Sequence, residues 1–179
     1  MNANPFTKGH KHLVKYASSK VDYLYIFVLQ EEKSQFKFKD RYEMVKLGTA
    51  EYSNVIVLRG GGFIISQNTF PEYFDVEVKK VDCSKDLEIF SQLIAPILNI
   101  KYRFVGKEPY SVITNQYNEQ MKKILPQYGI ELVEIERLAI NNNIISATKV
   151  RKAKSEKDEN ILKDMLPETS IEYIKKNNL

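Results

Sequence analysis

Tryptophan is absent from the 179 residues, cysteine occurs once, histidine twice and glycine seven times. A single cysteine, Cys83, cannot close an internal disulfide, so a stapled secreted scaffold is excluded and a reducing cytoplasm is the expected compartment. The thiol has no activating partner in sequence and reads as packed rather than nucleophilic. Two histidines only two residues apart, His10 and His12, give no basis for a Ser-His-Asp arrangement. No apolar run reaches about 18 residues, so no membrane span is expected. Met1 to Pro5 carry neither a basic nor an apolar region and do not read as a signal peptide. Gly60-Gly-Gly62 is not a phosphate loop, because no Gly-Lys-Ser/Thr follows. Asp22, Asp82 and Asp86 lack the spacing of a metal loop, and no dedicated metal cage is expected.

The content that remains is ordinary for a globular chain: 43% hydrophobic, 28% charged, net charge +4. That length and composition suit one domain able to bury a core. The densest basic run, Lys149, Arg151, Lys152 and Lys154, reads either as a solvated helix face or as a surface for an anionic ligand or partner. It falls short of a nucleic-acid footprint.

Strand-like and helix-like stretches alternate. Asp22 to Leu29 is an apolar and aromatic run typical of a buried parallel strand. Phe38, Tyr42 and Val45 recur at helical spacing, and Val55 to Leu58 is a second strand. Residues 63–81 read as a loop or insertion containing a β-rich run, Phe74 to Val78. Ser84 is expected to cap a helix with Leu87, Phe90, Leu93, Ile94 and Leu98 on one face. Tyr102 to Gly106 is a third strand, and Tyr117, Met121 and Ile124 mark a helix stopped by Pro126. Ile130 to Ile135 is a fourth strand, and helices are expected around 147–154, 161–166 and 171–176. The pattern predicts an α/β fold with a parallel sheet covered by helices on both faces. Ligands of such sheets bind beyond the strands' carboxyl ends, which makes Gly106 and the loop after Leu29 candidates by position.

Two helix starts could carry chemistry. Thr7 and His10 lie three apart and share a face of the first turn. The free N–H groups and the helix dipole there favour an anion, Gly9 leaves the backbone open, and His10 can donate to a phosphoryl oxygen as its charge grows. A simple cap and a surface histidine account for the same residues, and His12 faces elsewhere. Near the other end, Ser146 is a natural N-cap, with Thr148 and Arg151 on one face behind it. That suits the outer phosphates of a nucleotide, and equally an ordinary capped helix.

The pair resembles the HIGH superfamily of nucleotidyltransferases. An ordered series sharpens the resemblance to the citrate lyase ligase family: Asn2-Ala-Asn-Pro-Phe-Thr-Lys-Gly-His10, Ile64-Ile-Ser-x-x-Thr-Phe-Pro-x-Tyr73, Asp86-Leu-x-Ile-Phe90, Phe104-Val-Gly-Lys-Glu-Pro109, then Val112, Tyr117 and Asn118, then Glu134-Ile-Glu-Arg137 and Ile145-Ser-Ala-Thr-Lys-Val-Arg151. The resemblance implies a Rossmann-like sheet of the HIGH type. It implies an enzyme that activates acetate with ATP, brought as MgATP, to acetyl-AMP and pyrophosphate. The acetyl group then passes to the prosthetic-group thiol of the acyl-carrier subunit of citrate lyase.

By that similarity His10 and Thr7 are the catalytic residues, and Asn4, Thr7, Gly9, His10, Gly106, Glu108, Ser146, Thr148 and Arg151 bind the nucleotide. The Glu31-Glu-Lys-Ser34 loop, with Lys33 as a phosphate cation, and Arg41 are further candidates. Ala147 stands where the superfamily often has a second serine. Members are about twice this length, with an acetyltransferase-like domain ahead of the matching segment. This chain is therefore expected to be a fragment lacking that domain and most of the first strand, which lies mid-sheet in the superfamily. The alternatives are adenylyl or cytidylyl transfer to a phosphate-bearing acceptor, and a silent ATP- or carrier-binding module.

Overall fold

The structure is a computed structural model that describes residues 1–74, 80–109, 111–140 and 143–179. The chain divides into two compact units, residues 1–59 with 137–179, and residues 60–136.

In the first unit, α1 (Lys8–Ser18) leads to β1 (Leu24–Val28), α2 (Phe38–Thr49) and β2 (Val55–Arg59). β1 and β2 pair in parallel from Leu24↔Val55 to Val28↔Arg59. Alternation buries Ile26 and Val28, as a pleat with period two requires. Even-numbered residues of β1 face β2, as in Leu24 N–H to Asn54 C=O at 2.9 Å. The opposite edge meets Met1, whose ammonium donates to Phe27 C=O and whose carbonyl accepts from Leu29 N–H at 3.0 Å.

α2 follows the anticipated spacing, burying Phe38, Arg41, Met44, Val45, Gly48 and Thr49 along one stripe. Its first turn carries Asp40 and its last Lys46, matching the helix dipole. β5 (Ala139–Ile140) and β6 (Asn143–Ile144) pair antiparallel and deliver the chain to α5 (Ala147–Glu156). α6 (Glu159–Met165) and α7 (Glu168–Lys176) follow. Phe6, Val14, Ile26, Val28, Phe36, Met44 and Val45 form one core cluster, and Ile145, Val150, Met165 and Leu166 another.

In the second unit, α3 (Ser84–Ile89) precedes β3 (Tyr102–Gly106), α4 (Val112–Ile124) and β4 (Glu131–Ile135). β3 and β4 pair in parallel over their full lengths. Pro126 sits inside a 3₁₀ turn, Leu125–Tyr128, that ends at the left-handed Gly129. Among the described residues the strands thus form two parallel pairs and one short antiparallel pair.

Two expectations need correction. Ser84 does not cap its helix: it is the first helical residue, and Asp82 Oδ1 takes its N–H at 3.0 Å. The single apolar face also fails, because α3 runs into a π-helical segment, Phe90–Ile94. The wider turn rotates later side chains, leaving Leu87 and Phe90 buried but Leu93 60% exposed. Phe74 closes a 3₁₀ turn, Pro71–Phe74, and the remainder of the anticipated β-rich run, 75–78, lies outside the described residues.

Gly48 is the tightest fit in the first unit. A Cβ there would sit 2.3 Å from Cε1 of the fully buried Phe6. Gly48→Ala is expected to destabilise the chain by about 1–3 kcal/mol despite better helix propensity, because the ring or helix must move. Chemical denaturation measures this, and unchanged stability would show that Phe6 is not held against α2.

Candidate functional site

Thr7 ends an extended approach and caps α1. Its buried hydroxyl accepts from His10 N–H at 3.4 Å. His10 reciprocates in the manner of a capping box: Nδ1 accepts from Thr7 N–H at 3.0 Å and lies 2.9 Å from Thr7 Oγ1. The ring stacks on Phe6 at 5.8 Å between centroids, with 18° between planes. Nδ1 is therefore the acceptor, and the proton of the neutral ring sits on Nε2. Burial, then the chain's N-terminal ammonium and Arg137, lower the His10 pKa to about 4. His10 is thus a neutral Nε2–H donor at physiological pH. His12, on the same helix, is exposed.

Gly9 lies beside the segment leading to α5. A Cβ there would meet Ile145 Cγ2 at 3.4 Å, an ordinary contact, so the start of α1 packs beside Ile145. Ile145 immediately precedes Ser146, which occupies the N-cap position of α5. Its hydroxyl makes no capping bond, unlike the sequence expectation, leaving the first-turn N–H groups of α5 without a cap from their own N-cap side chain. Arg151, one turn on, donates from Nη1 to Asn4 C=O at 2.7 Å and from Nη2 to Thr148 Oγ1 at 3.0 Å. Burial lowers its pKa. Thr7, Gly9, His10, Asn4, Thr148 and Arg151 are thereby linked within one unit.

The approach to α1 is braced from several sides. Asn4 Oδ1 accepts from Phe36 N–H at 3.1 Å. Ser170 of α7, fully buried, donates to Phe6 C=O at 3.0 Å. Arg41 is 0% exposed; it donates to Phe36 C=O at 3.0 Å, to Asn2 C=O at 2.7 Å, to Asn2 Oδ1 at 2.9 Å, and to Glu31 C=O. The Glu31 carboxylate turns inward, taking Ser34 N–H at 3.0 Å together with Lys33 N–H and the Ser34 hydroxyl. Lys33 itself is exposed.

Gly106 and Glu108 belong to the second unit. Gly106 ends β3, its carbonyl accepts from Asn118 Nδ2 at 3.2 Å, and a Cβ there would meet nothing within 4 Å. Glu108 Oε1 takes Ser111 N–H at 3.0 Å, at the start of α4. In this unit three of the motif residues gather around the buried Asp86. Its carboxylate accepts from Ile65 N–H at 2.6 Å, Thr69 Oγ1 at 2.7 Å and the Tyr117 hydroxyl at 2.7 Å. Arg103 donates to that same hydroxyl at 2.8 Å. Tyr117 has its pKa raised, by burial above all. Cys83 is fully buried with its pKa pushed up to about 12, by burial and then by Asp86, a thiol kept protonated and unreactive.

Sequence reasoning missed Phe6, Phe36, Gly48 and Ser170. A glycine inside an otherwise good helix was the available signal for one of them.

An unfolded histidine protonates near 6.5, whereas His10 in the fold resists protonation down to about 4. The unfolded chain therefore binds more protons in that window, so stability is fully present above about 6.5 and falls as pH drops toward 4. Denaturation free energies measured from pH 7 to 4 are expected to show this loss, and His10→Gln to remove about one proton's worth of the slope. Imidazole nitrogen resonances are expected to report the neutral Nε2–H form of His10 at pH 6; a doubly protonated ring there would refute the assignment.

Comparison with known proteins adds a separate line of support. The family described as the citrate lyase ligase C-terminal domain matches residues 1–174. A [citrate [pro-3S]-lyase] ligase from Escherichia coli (strain K12) is 40% identical over 97% of this chain and 52% of its own length. One from Haemophilus influenzae is 39% identical over 98% of this chain and 55% of its own length. The chain thus spans about half the length of these curated relatives. A phosphopantetheine adenylyltransferase from Clostridium botulinum (strain Hall) is 41% identical over 35% of this chain and 39% of its own length. With a match running from Met1 to Ile174 and this identity across nearly the whole chain, the chain belongs to the citrate lyase ligase C-terminal domain family.

Proposed function

We propose that this chain is the acyl-adenylating part of a citrate lyase ligase, which uses ATP to acetylate the prosthetic-group thiol of the lyase's acyl-carrier subunit. The observation that carries the reading is the Thr7–His10 bond pair, which leaves a neutral Nε2–H donor at a helix N-terminus. In the first step an acetate oxygen attacks the α-phosphorus of ATP; the bond to the bridging oxygen breaks and pyrophosphate leaves. In the second the thiol sulfur attacks the acetyl carbonyl, the bond to AMP breaks, and the thiol proton goes to a base or solvent.

Both steps depend on position and on stabilising negative charge. His10 Nε2–H donates to the α-phosphoryl oxygen as its charge rises. A neutral donor supplies that bond with no change of protonation state. The N-terminal N–H groups of α1 and α5, the Ser146 and Thr148 hydroxyls and the Arg151 guanidinium suit the outer phosphates. The Ser146 hydroxyl, uncommitted to a cap, fits this role. Magnesium enters on the ATP phosphates, where it offsets their charge. Asn4 holds the turn, and Gly9 leaves the backbone at the start of α1 open to the nucleotide.

The fold reading extends this proposal: within each unit a parallel strand pair is connected through a helix, α2 between β1 and β2 and α4 between β3 and β4, the kind of unit from which a Rossmann-type sheet of the HIGH superfamily is built. No helix among the described residues is long and apolar enough to cross a membrane. A second reading, nucleotidyl transfer to a phosphate monoester, is favoured by the partial match to a protein named as a phosphopantetheine adenylyltransferase.

Exchange of labelled pyrophosphate into ATP, with and without acetate, tests the proposal. Exchange that requires acetate is expected, and exchange driven instead by a phosphate monoester would transfer the assignment to the second reading. ATP binding with no exchange under either condition would mark a silent binding module. His10→Ala is expected to abolish exchange, and exposed His12→Ala to leave it nearly unchanged; equal activity of the two variants would remove His10 from the mechanism.

A further inference from the structure

We infer that Arg41 is a positioning residue of the site: it binds no phosphate itself, but locks the Asn2–Thr7 turn and the 31–36 loop into one frame. A sequence of this kind offers Arg41 as a phosphate ligand, since a cation beside a nucleotide turn invites that role. Its placement points elsewhere. The side chain is wholly buried and its guanidinium is spent on protein acceptors from two separate stretches of backbone. Nη1 holds both the carbonyl and the side-chain oxygen of Asn2, two residues before the Asn4 carbonyl that Arg151 holds. Nε and Nη2 hold Phe36 and Glu31, the two ends of the loop after β1.

The planar fork of a guanidinium suits this task, because its donors diverge at fixed angles and cannot adjust independently. A second link runs in parallel, from Phe36 N–H to Asn4 Oδ1 at 3.1 Å. Together the two links fix the turn relative to the loop at both its start and its middle. The turn then delivers Phe6, on which the His10 ring stacks, and Thr7, whose N–H sets the His10 tautomer. Arg41 therefore acts on the chemistry through Asn2, Phe36 and the turn. A shift of about 1 Å in such a frame is enough to cost on the order of 100-fold in rate while leaving ligand affinity less affected.

The test compares Arg41→Lys with the unaltered chain. Lysine keeps the charge but loses the fork. The kinetic arm rests on the acyl-adenylating reading; a second arm, exchange of the Thr7 amide hydrogen by NMR, does not. In Arg41→Lys the Thr7 amide is expected to exchange at least about 10-fold faster under conditions where the fold is intact by circular dichroism. The kcat of acetate-dependent pyrophosphate exchange is expected to fall by about 10-fold or more, with KM for ATP changing by less than about 3-fold.

A raised KM with unchanged kcat would overturn the inference in favour of direct phosphate contact. Lowered stability with an unchanged Thr7 amide, and unchanged kcat per folded molecule, would overturn it in favour of bulk packing alone. Should the unaltered chain show no pyrophosphate exchange, the functional reading fails while the Thr7 amide still judges Arg41. Should Arg41→Lys not fold, Asn2→Ala removes one of the acceptors without stranding a charge. It is expected to speed Thr7 amide exchange in the same direction by a smaller factor, and an unchanged amide would overturn the inference.

Discussion

A stretch of chain with no regular structure must still find partners for every buried backbone N–H and C=O, and this constraint governs the turn that opens the first unit. The seven residues before α1 form no helix, and Met1 alone lies along a strand. Five of their carbonyls are nonetheless taken up by other parts of the unit. Met1 C=O accepts from Leu29, Asn2 from Arg41, Asn4 from Arg151, Phe6 from Ser170 and Thr7 from Lys11. The donors come from β1's end, α2, α5, α7 and α1. Each of those elements is thus tied to the same short turn, and the turn has little freedom left.

That arrangement explains why Thr7 and His10 form so well-defined a pair. An N-cap threonine is common, and a histidine at the third helical position has many rotamers open to it. Here the Phe6 ring is pressed between Gly48 and the imidazole, and the Thr7 N–H has no other use than Nδ1. The ring is held by stacking on one side and by a hydrogen bond at one nitrogen. Desolvation then keeps it neutral. Local sequence set the pair and its tautomer, and long-range packing decided its charge.

The second unit uses a similar device for a different end. Asp86 is a buried carboxylate that gathers a backbone N–H and two hydroxyls, and through Tyr117 it reaches Arg103. Ile65, whose N–H it accepts, has a φ of 44°, a left-handed conformation that a β-branched residue rarely adopts. The carboxylate helps hold that residue there against its own preference. Three of the motifs quoted from the sequence meet at this single carboxylate, so their shared feature is a polar core network, unlike the capping pair of Thr7 and His10 in the first unit.

What the sequence determined by itself was whatever depends on near neighbours. Periodicity placed the four longer strands within a residue or two and marked residues inside α2 and α4, because apolar spacing at 3.6 or along a continuous run is a local property. Thr7 and His10 were legible as a pair for the same reason: three residues on a helix share a face. Tertiary structure alone decided the rest. Which arginine is sealed inside the fold depends on partners far away in the chain. Arg41 and Arg151 read alike in sequence, yet one is sealed among Asn2, Glu31 and Phe36 and the other stays partly open at the start of α5. The same holds for the α3 region, where a π turn moved Leu93 outward without any mark in the spacing. Hydrogen-bond partners and burial are properties of distant segments brought together, and no window along the chain contains them.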